Sequence, residues 1–185
     1  MPNELKVLVL IDQANLHGQA TSLNKRFNIV KLYERLLGSE NGVGRGDCIV
    51  YAPVLPGNPD GSHGNHDWLR HSGLQVVSKR AKRLPDGTVK CDMDVILALD
   101  AMELAREAKP DVIILASGDG DFSPLAIRLR RMGIRVEAAS CKGSLAGELR
   151  AACQRVIELD EFFSKPEKMD ESAVITAVPS VQDVA

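Results

Sequence analysis

This sequence is short of the features that would assign it quickly to one of the large functional classes. Its four cysteines, Cys48, Cys91, Cys141 and Cys153, are scattered and form no Cys-x-x-Cys pair. That excludes a thiolate zinc site and a disulfide framework, and it reads as reduced thiols in a cytoplasmic protein. No apolar run has the length of a signal-peptide core or a membrane span, and the opening MPNELKVLVLIDQAN carries Glu4 and Lys6. An excess of basic charge is missing too. The net charge of -2 and pI near 6.1 exclude a uniformly basic nucleic-acid binder, although a local basic strip stays open. There is no G-x-x-x-x-G-K-[ST] phosphate loop, and the glycines of NGVGRGD (41–47) precede a strand pattern instead of following one, so they are not a dinucleotide loop. No internal repeat is visible. The single tryptophan, Trp68, reads as packing rather than as a base-stacking platform.

What is present is enough for one domain, since 185 residues of which 44% are hydrophobic can bury one sizeable core. Short apolar runs recur: LKVLVLI (5–11), CIVYAPV (48–54), LQVVS (74–78), VIILAS (112–117) and IRVEAAS (134–140). They are rich in β-branched residues and mostly lack alternation, which suits parallel strands covered on both faces. Helical patterns lie between them: VKLYERLLG ending at Gly38, HDWLRHSG ending at Gly73, DMDVILALDAMELAREAK stopped by Pro110, and PLAIRLRRMG closed by Gly133. Ser123 is the expected cap before Pro124. Strand and helix alternate throughout, so the expected fold is three-layer α/β/α. NGVGRGD (41–47) and PGNPDGSHGN (56–65) are read as loops, and RLPDGTVK as a hairpin turning at Pro85-Asp86-Gly87. After EFF the periodicity is lost, which divides the chain into a domain over 1–163 and a flexible tail over 164–185.

Aspartates stand where these strands should end. The first run ends at Asp12, and ILASGDGDF delivers Asp119 and Asp121 immediately after the fourth. In an open α/β sheet the ligand crevice lies outside the carboxyl ends of the strands, where the winding reverses. A third source is KCDMDVILALD, in which Asp92 is placed to cap the helix and Asp94 falls in its first turn. From Asp94 the i+3, i+4 and i+7 positions are Leu97, Ala98 and Ala101, so Asp94 tops the stripe that packs on the sheet. Asp100 is rotated to another face and is the weaker candidate. Carboxylates crowded this way repel one another unless a cation compensates, and an all-oxygen set favours Mg2+ or Mn2+ over zinc. The competing reading is that each aspartate is only a helix cap and that Asn15 is a local turn former. A phosphatase of the haloacid-dehalogenase type, or a receiver-like domain, is disfavoured because Ala14 stands where a second aspartate would follow Asp12. His17, His63, His66 and His71 lack ligand spacing and read as surface residues, as do Arg128, Arg130, Arg131 and Arg135.

Four fragments in order, IDQAN, KCDMDVILALDAM, SGDGDFSPLAIRLRRMGIRV and SLAGELRAACQRVIELDEF, resemble the NYN domain, and within it the LabA-like proteins. The resemblance covers residues 5 to 163. It implies the PIN-like nuclease fold with a parallel sheet of about five strands in the order 3-2-1-4-5, and a metal-dependent ribonuclease. On the family pattern Asp12, Asp94 and Asp119 form the metal-binding and catalytic cluster, Asp121 is a supporting or additional catalytic ligand, and Asn15 and Ser117 are supporting polar neighbours. Gln154 departs from the aspartate that many relatives carry before the last strand. The chemistry implied is Mg2+- or Mn2+-assisted phosphodiester hydrolysis. Single-stranded RNA is the expected partner, guided by Lys79, Arg80, Lys82, Arg83 and Lys90 of the strip VVSKRAKRLPDGTVK. A solvated hairpin is the competing reading of that strip. No membrane is expected, a homodimer stays open, and the alternative function is a non-catalytic RNA-binding or regulatory module that keeps the fold.

Overall fold

A computed structural model describes residues 5–38 and 44–164. The chain begins with β1 (Leu5–Asp12), whose last six residues are all buried. It continues through α1 (Gln13–Ser22), α2 (Ile29–Gly38), β2 (Gly44–Val54), α3 (Pro59–His71) and β3 (Gln75–Arg80). A small antiparallel ribbon, β4 (Lys82–Arg83) and β5 (Val89–Lys90), then leads into α4 (Met93–Glu107). The remaining elements are β6 (Val112–Ala116), α5 (Ser123–Arg131), β7 (Arg135–Ser140), α6 (Gly147–Ala152) and β8 (Arg155–Glu158). No described helix is long and apolar enough to cross a membrane.

The six main strands form one sheet in the order β3-β2-β1-β6-β7-β8, and every neighbouring pair is parallel. The expected order is kept for its first five strands. The sixth, β8, is the last strand that the family resemblance implies after Gln154, but it is not among the apolar runs, since RVIE offers only Val156 and Ile157 as apolar signal. Successive side chains of a strand point to opposite faces. Val7, Val9 and Ile11 of β1, with Val112, Ile114 and Ala116 of β6, therefore pack under α1, α2 and α3. Leu8 and Leu10, with Ile113 and Leu115, pack under α4, α5 and α6. Each fully buried Leu or Ile contributes about 1.5–3 kcal/mol, so the two apolar layers on either side of β1 and β6 dominate the stability.

Two expected loops are partly regular structure. Gly44 to Asp47 pair with Leu5 to Leu8 and begin β2. Gly46 sits where an added Cβ would press on the end of the Leu37 side chain and come to 3.0 Å from the Val7 carbonyl, so this glycine serves close approach and not a turn. Residues 41–43 of that loop lie outside the described residues. The glycine-rich stretch from Pro59 onward is the start of α3. The Asn58 side chain caps it by accepting the Gly61 N–H at 3.0 Å, and Pro59 in the first turn is already held at a helical φ, which together outweigh Gly61 and Gly64. Ser123 lies inside α5, whose cap position is Phe122. The hairpin at Pro85 to Gly87 is as expected, with Leu84 accepting from Gly87 and Gly87 at φ +85. At the far end Ser164 exchanges two backbone hydrogen bonds with Arg26, and Phe163 stacks on Phe27 at 5.0 Å. The rest of the expected tail lies outside the described residues.

Candidate functional site

The winding reverses between β1 and β6: from β1 the chain builds β2 and β3 on one side, then returns to lay β6 on the other. Ile11 pairs with Ala116, so the two strands end level with each other. Strand alternation then decides where the next side chains go. Asp12 follows Leu8 and Leu10, and Ser117 follows Ile113 and Leu115, toward the layer that contains α4. The Ser117 hydroxyl donates to Asp12 Oδ2 at 3.2 Å and accepts the Asp119 N–H at 3.2 Å. Asp12 Oδ1 accepts the Asn15 N–H at 3.1 Å, and Asp119 Oδ1 accepts the Asp121 N–H at 2.9 Å. The capping role weighed for these aspartates is thus real for Asp12 and Asp119, and it fixes their rotamers at the crevice.

Asp94 stands exposed in the first turn of α4, next to buried Met93 and three residues before buried Leu97. It is within electrostatic reach of the strand-end aspartates. Asp12 is only 4% exposed, and its carboxyl is pushed up to about 6, first by burial and then by the charges of Asp94 and Asp119, against the hydrogen bonds from Asn15 and Ser117. Asp94 is raised by partial burial and by Asp119, Asp121 and Asp92. The four carboxylates from three segments therefore share one field. Asp100 is separate, accepting the Tyr51 hydroxyl at 3.1 Å. Asp92 occupies the cap position of α4 without a capping bond, and instead meets Lys79 at 3.9 Å and Lys90 at 3.8 Å.

Among the described residues no three carboxylate, imidazole or thiolate groups are drawn together into a ready ligand set. What the crevice offers is an open array of oxygen donors whose mutual repulsion a cation would relieve. Such an array suits a hard ion that keeps several waters and takes only one or two carboxylates, and it does not suit zinc.

The basic side chains Lys79, Arg80, Lys82, Arg83 and Lys90 are all exposed on the end of β3 and on the β4–β5 ribbon. Lys82 lies directly opposite Lys90 in the ribbon, a like-charge pairing that works against the hairpin. Through Asp92 the ribbon runs directly into the helix that carries Asp94.

Several residues have roles that sequence reasoning did not reach. His66 is buried, not on the surface, with its titration lowered by burial, Arg70 and His63. Glu137 is fully buried, with Arg135 at 3.0 Å and Arg155 at 3.5 Å, so Arg135 is not merely a solubility residue. Arg130 donates to the Ala152 carbonyl at the end of α6. Gln154 fixes the approach to β8 by accepting the Val136 N–H at 2.7 Å and donating its own N–H to the Val136 carbonyl. Gln19 and Ser140 also went unnoticed. Both are buried in a polar network behind the crevice, and the available signal was that Gln19 lies four residues after Asn15 on one helical face.

Comparison with known proteins agrees with this architecture. The NYN domain description matches residues 6–160. The chain is 28% identical over 130 residues to the low amplitude and bright protein LabA of Synechococcus elongatus, covering 67% of this chain and 69% of that protein. It also superposes on the crystal structure of a protein of unknown function from Vibrio parahaemolyticus with a TM-score of 0.72 and 25% identity, covering 88% of this chain and 98% of the other.

Proposed function

We propose, taking as premise that this chain belongs to the NYN domain family of PIN-like nucleases, that it is a Mg2+- or Mn2+-dependent ribonuclease hydrolysing phosphodiesters of single-stranded RNA in the cytoplasm. The observation that supports the reading is that Asp12, at the carboxyl end of β1, lies within electrostatic reach of Asp94 and Asp119 and is raised to about 6 by burial and by those two charges. Asp12, Asp94 and Asp119 would hold the ion and Asp121 would support them. When bound, the ion supplies a polarised water and neutralises charge on the phosphate. The chain's own part is placement. Ser117 holds Asp12 and the Asp119 backbone together, so that two strand ends present carboxylates in fixed rotamers. Lys79, Arg80, Lys82, Arg83 and Lys90 neutralise phosphates of the strand leading to the crevice, and their charges offset the repulsion that the acidic cluster exerts on RNA.

A second reading, a non-catalytic RNA-binding or regulatory module, is favoured by one observation: the carboxylates are not drawn up into a complete ligand set. Cleavage of labelled single-stranded RNA in Mg2+ or Mn2+, beside an EDTA control, separates the two. EDTA-sensitive cleavage supports the ribonuclease. Metal-independent cleavage overturns it, and RNA binding without turnover in either metal favours the module.

A further inference from the structure

Resting on the ribonuclease reading, we propose that Gln19 is a positioning residue that turns the Asn15 amide so that its NH2 group faces the crevice as a donor to a phosphate oxygen of the RNA. The orientation follows from backbone donors, which cannot be reversed. The Cys141 N–H lies 2.9 Å from one end of the Gln19 amide, so that end is Oε1, and the Ser140 hydroxyl donates to it at 3.1 Å. The other end, Nε2, therefore donates to Asn15 at 2.7 Å, and the atom it meets is Oδ1. From a second direction the Gly118 N–H donates to the same Oδ1 at 2.9 Å. Both lone pairs of the Asn15 oxygen are now used. Asn15 is half-buried and its own N–H is bonded to Asp12, so with its oxygen used twice the end of the amide left to meet a ligand is Nδ2.

This arrangement has a chemical consequence. An amide beside a metal site would ordinarily be read as an oxygen ligand, but here the oxygen is occupied by two N–H groups. The group presented to the crevice can only donate. It is therefore suited to an anion, and the anion that a nuclease brings beside Asp12 is the phosphate under attack. Gln19 is 4% exposed, and it is hemmed in by Gly118, where an added Cβ would come within 3.0 Å of Gln19 Nε2 and 2.8 Å of Ser140 Oγ. The clamp thus joins α1 to the ends of β6 and β7 and keeps the amide from turning over.

The test uses Asn15→Asp, which keeps an oxygen toward Gly118 and Gln19 but turns the remaining donor into a charged acceptor, and Gln19→Met, which keeps length, adds no charge and releases Asn15, so that the charge-neutral variant separates loss of the donor from added repulsion. RNA affinity is read by fluorescence anisotropy of a labelled single-stranded RNA in Ca2+, and metal affinity by titration of free Mn2+ with electron paramagnetic resonance. Asn15→Asp should weaken RNA binding by about tenfold or more, the scale of one hydrogen bond to a charged group, with Mn2+ binding equal or tighter. Gln19→Met should weaken RNA binding in the same direction, and the double variant should be no weaker than Asn15→Asp alone, because both act through one donor. Undiminished RNA affinity in Asn15→Asp overturns the proposal while leaving the ribonuclease reading intact, as does additive loss in the double variant. A wild type that binds Mn2+ but no RNA overturns both.

Discussion

Replacing Asp12 by asparagine should stabilise the metal-free protein while removing its response to metal. Asp12 is buried, and its carboxyl is raised from 3.8 to about 6, so the ionised form is disfavoured in the folded state. Below about pH 3 the group is protonated whether the chain is folded or not, and it costs nothing. As the pH rises from about 3 to 6 the unfolded chain releases its proton first, and folding is progressively penalised. Above about pH 6 the full difference applies, about 3 kcal/mol at 1.36 kcal/mol per pH unit. Asparagine removes the charge, and its oxygen still accepts the Asn15 N–H while its NH2 group faces the Ser117 hydroxyl. The expected gain at pH 8 in EDTA is up to about 3 kcal/mol, or roughly 6–12 °C in Tm for a domain of this size. At pH 3 wild type and variant should melt together. With Mn2+ at pH 8 the wild type should rise and the variant should not. Equal melting at pH 8 in EDTA, or an equal gain at pH 3, would refute the argument that burial and neighbouring carboxylates load this residue.

Asp119→Asn should lower metal-dependent RNA cleavage by two or more powers of ten, because it removes ligand charge from the cluster, while its cap on the Asp121 N–H and the melting of the metal-free protein are retained. A variant as active as wild type rules out the mechanism. Replacing Lys79, Arg80, Lys82 and Arg83 together with alanine should weaken single-stranded RNA binding and flatten its dependence on salt. Unchanged affinity across a salt series would reduce the ribbon to a solvated hairpin. Gly118→Ala should destabilise the fold by about 1–3 kcal/mol, since its Cβ collides with the Ser144 carbonyl, and denaturant unfolding with no change in midpoint would show that this approach can relax.

The strands legible in the sequence were those buried on both faces, because a long apolar run needs no partner to be recognised. β8 is legible only through the family resemblance and not as an apolar run, because an edge strand of four residues carries Arg155 and Glu158 at its ends. The start of α3 escaped because Gly61 and Gly64 outweighed, on paper, a cap and a proline whose effect depends on geometry. Asp12, Asp119 and Asp94 could be named because strand ends and helix starts are local features. Gln19 could be reached only through its spacing of four from Asn15, since its partners Ser140, at the end of β7, and Cys141, just after it, lie more than a hundred residues away.

The hydrogen bond from Ser117 to Asp12 spans 105 residues of chain. Until β6 has docked beside β1, Asp12 keeps its local bond from the Asn15 N–H but lacks Ser117 and Asp119. Pairings of such long range are the slow part of folding, since the chain loses its loop entropy before any contact returns it. A chain emerging from synthesis holds Asp12 from the start but cannot complete the crevice until the segment around Asp119 has followed. Whatever the acidic cluster does to a polynucleotide, it cannot begin on a half-made molecule.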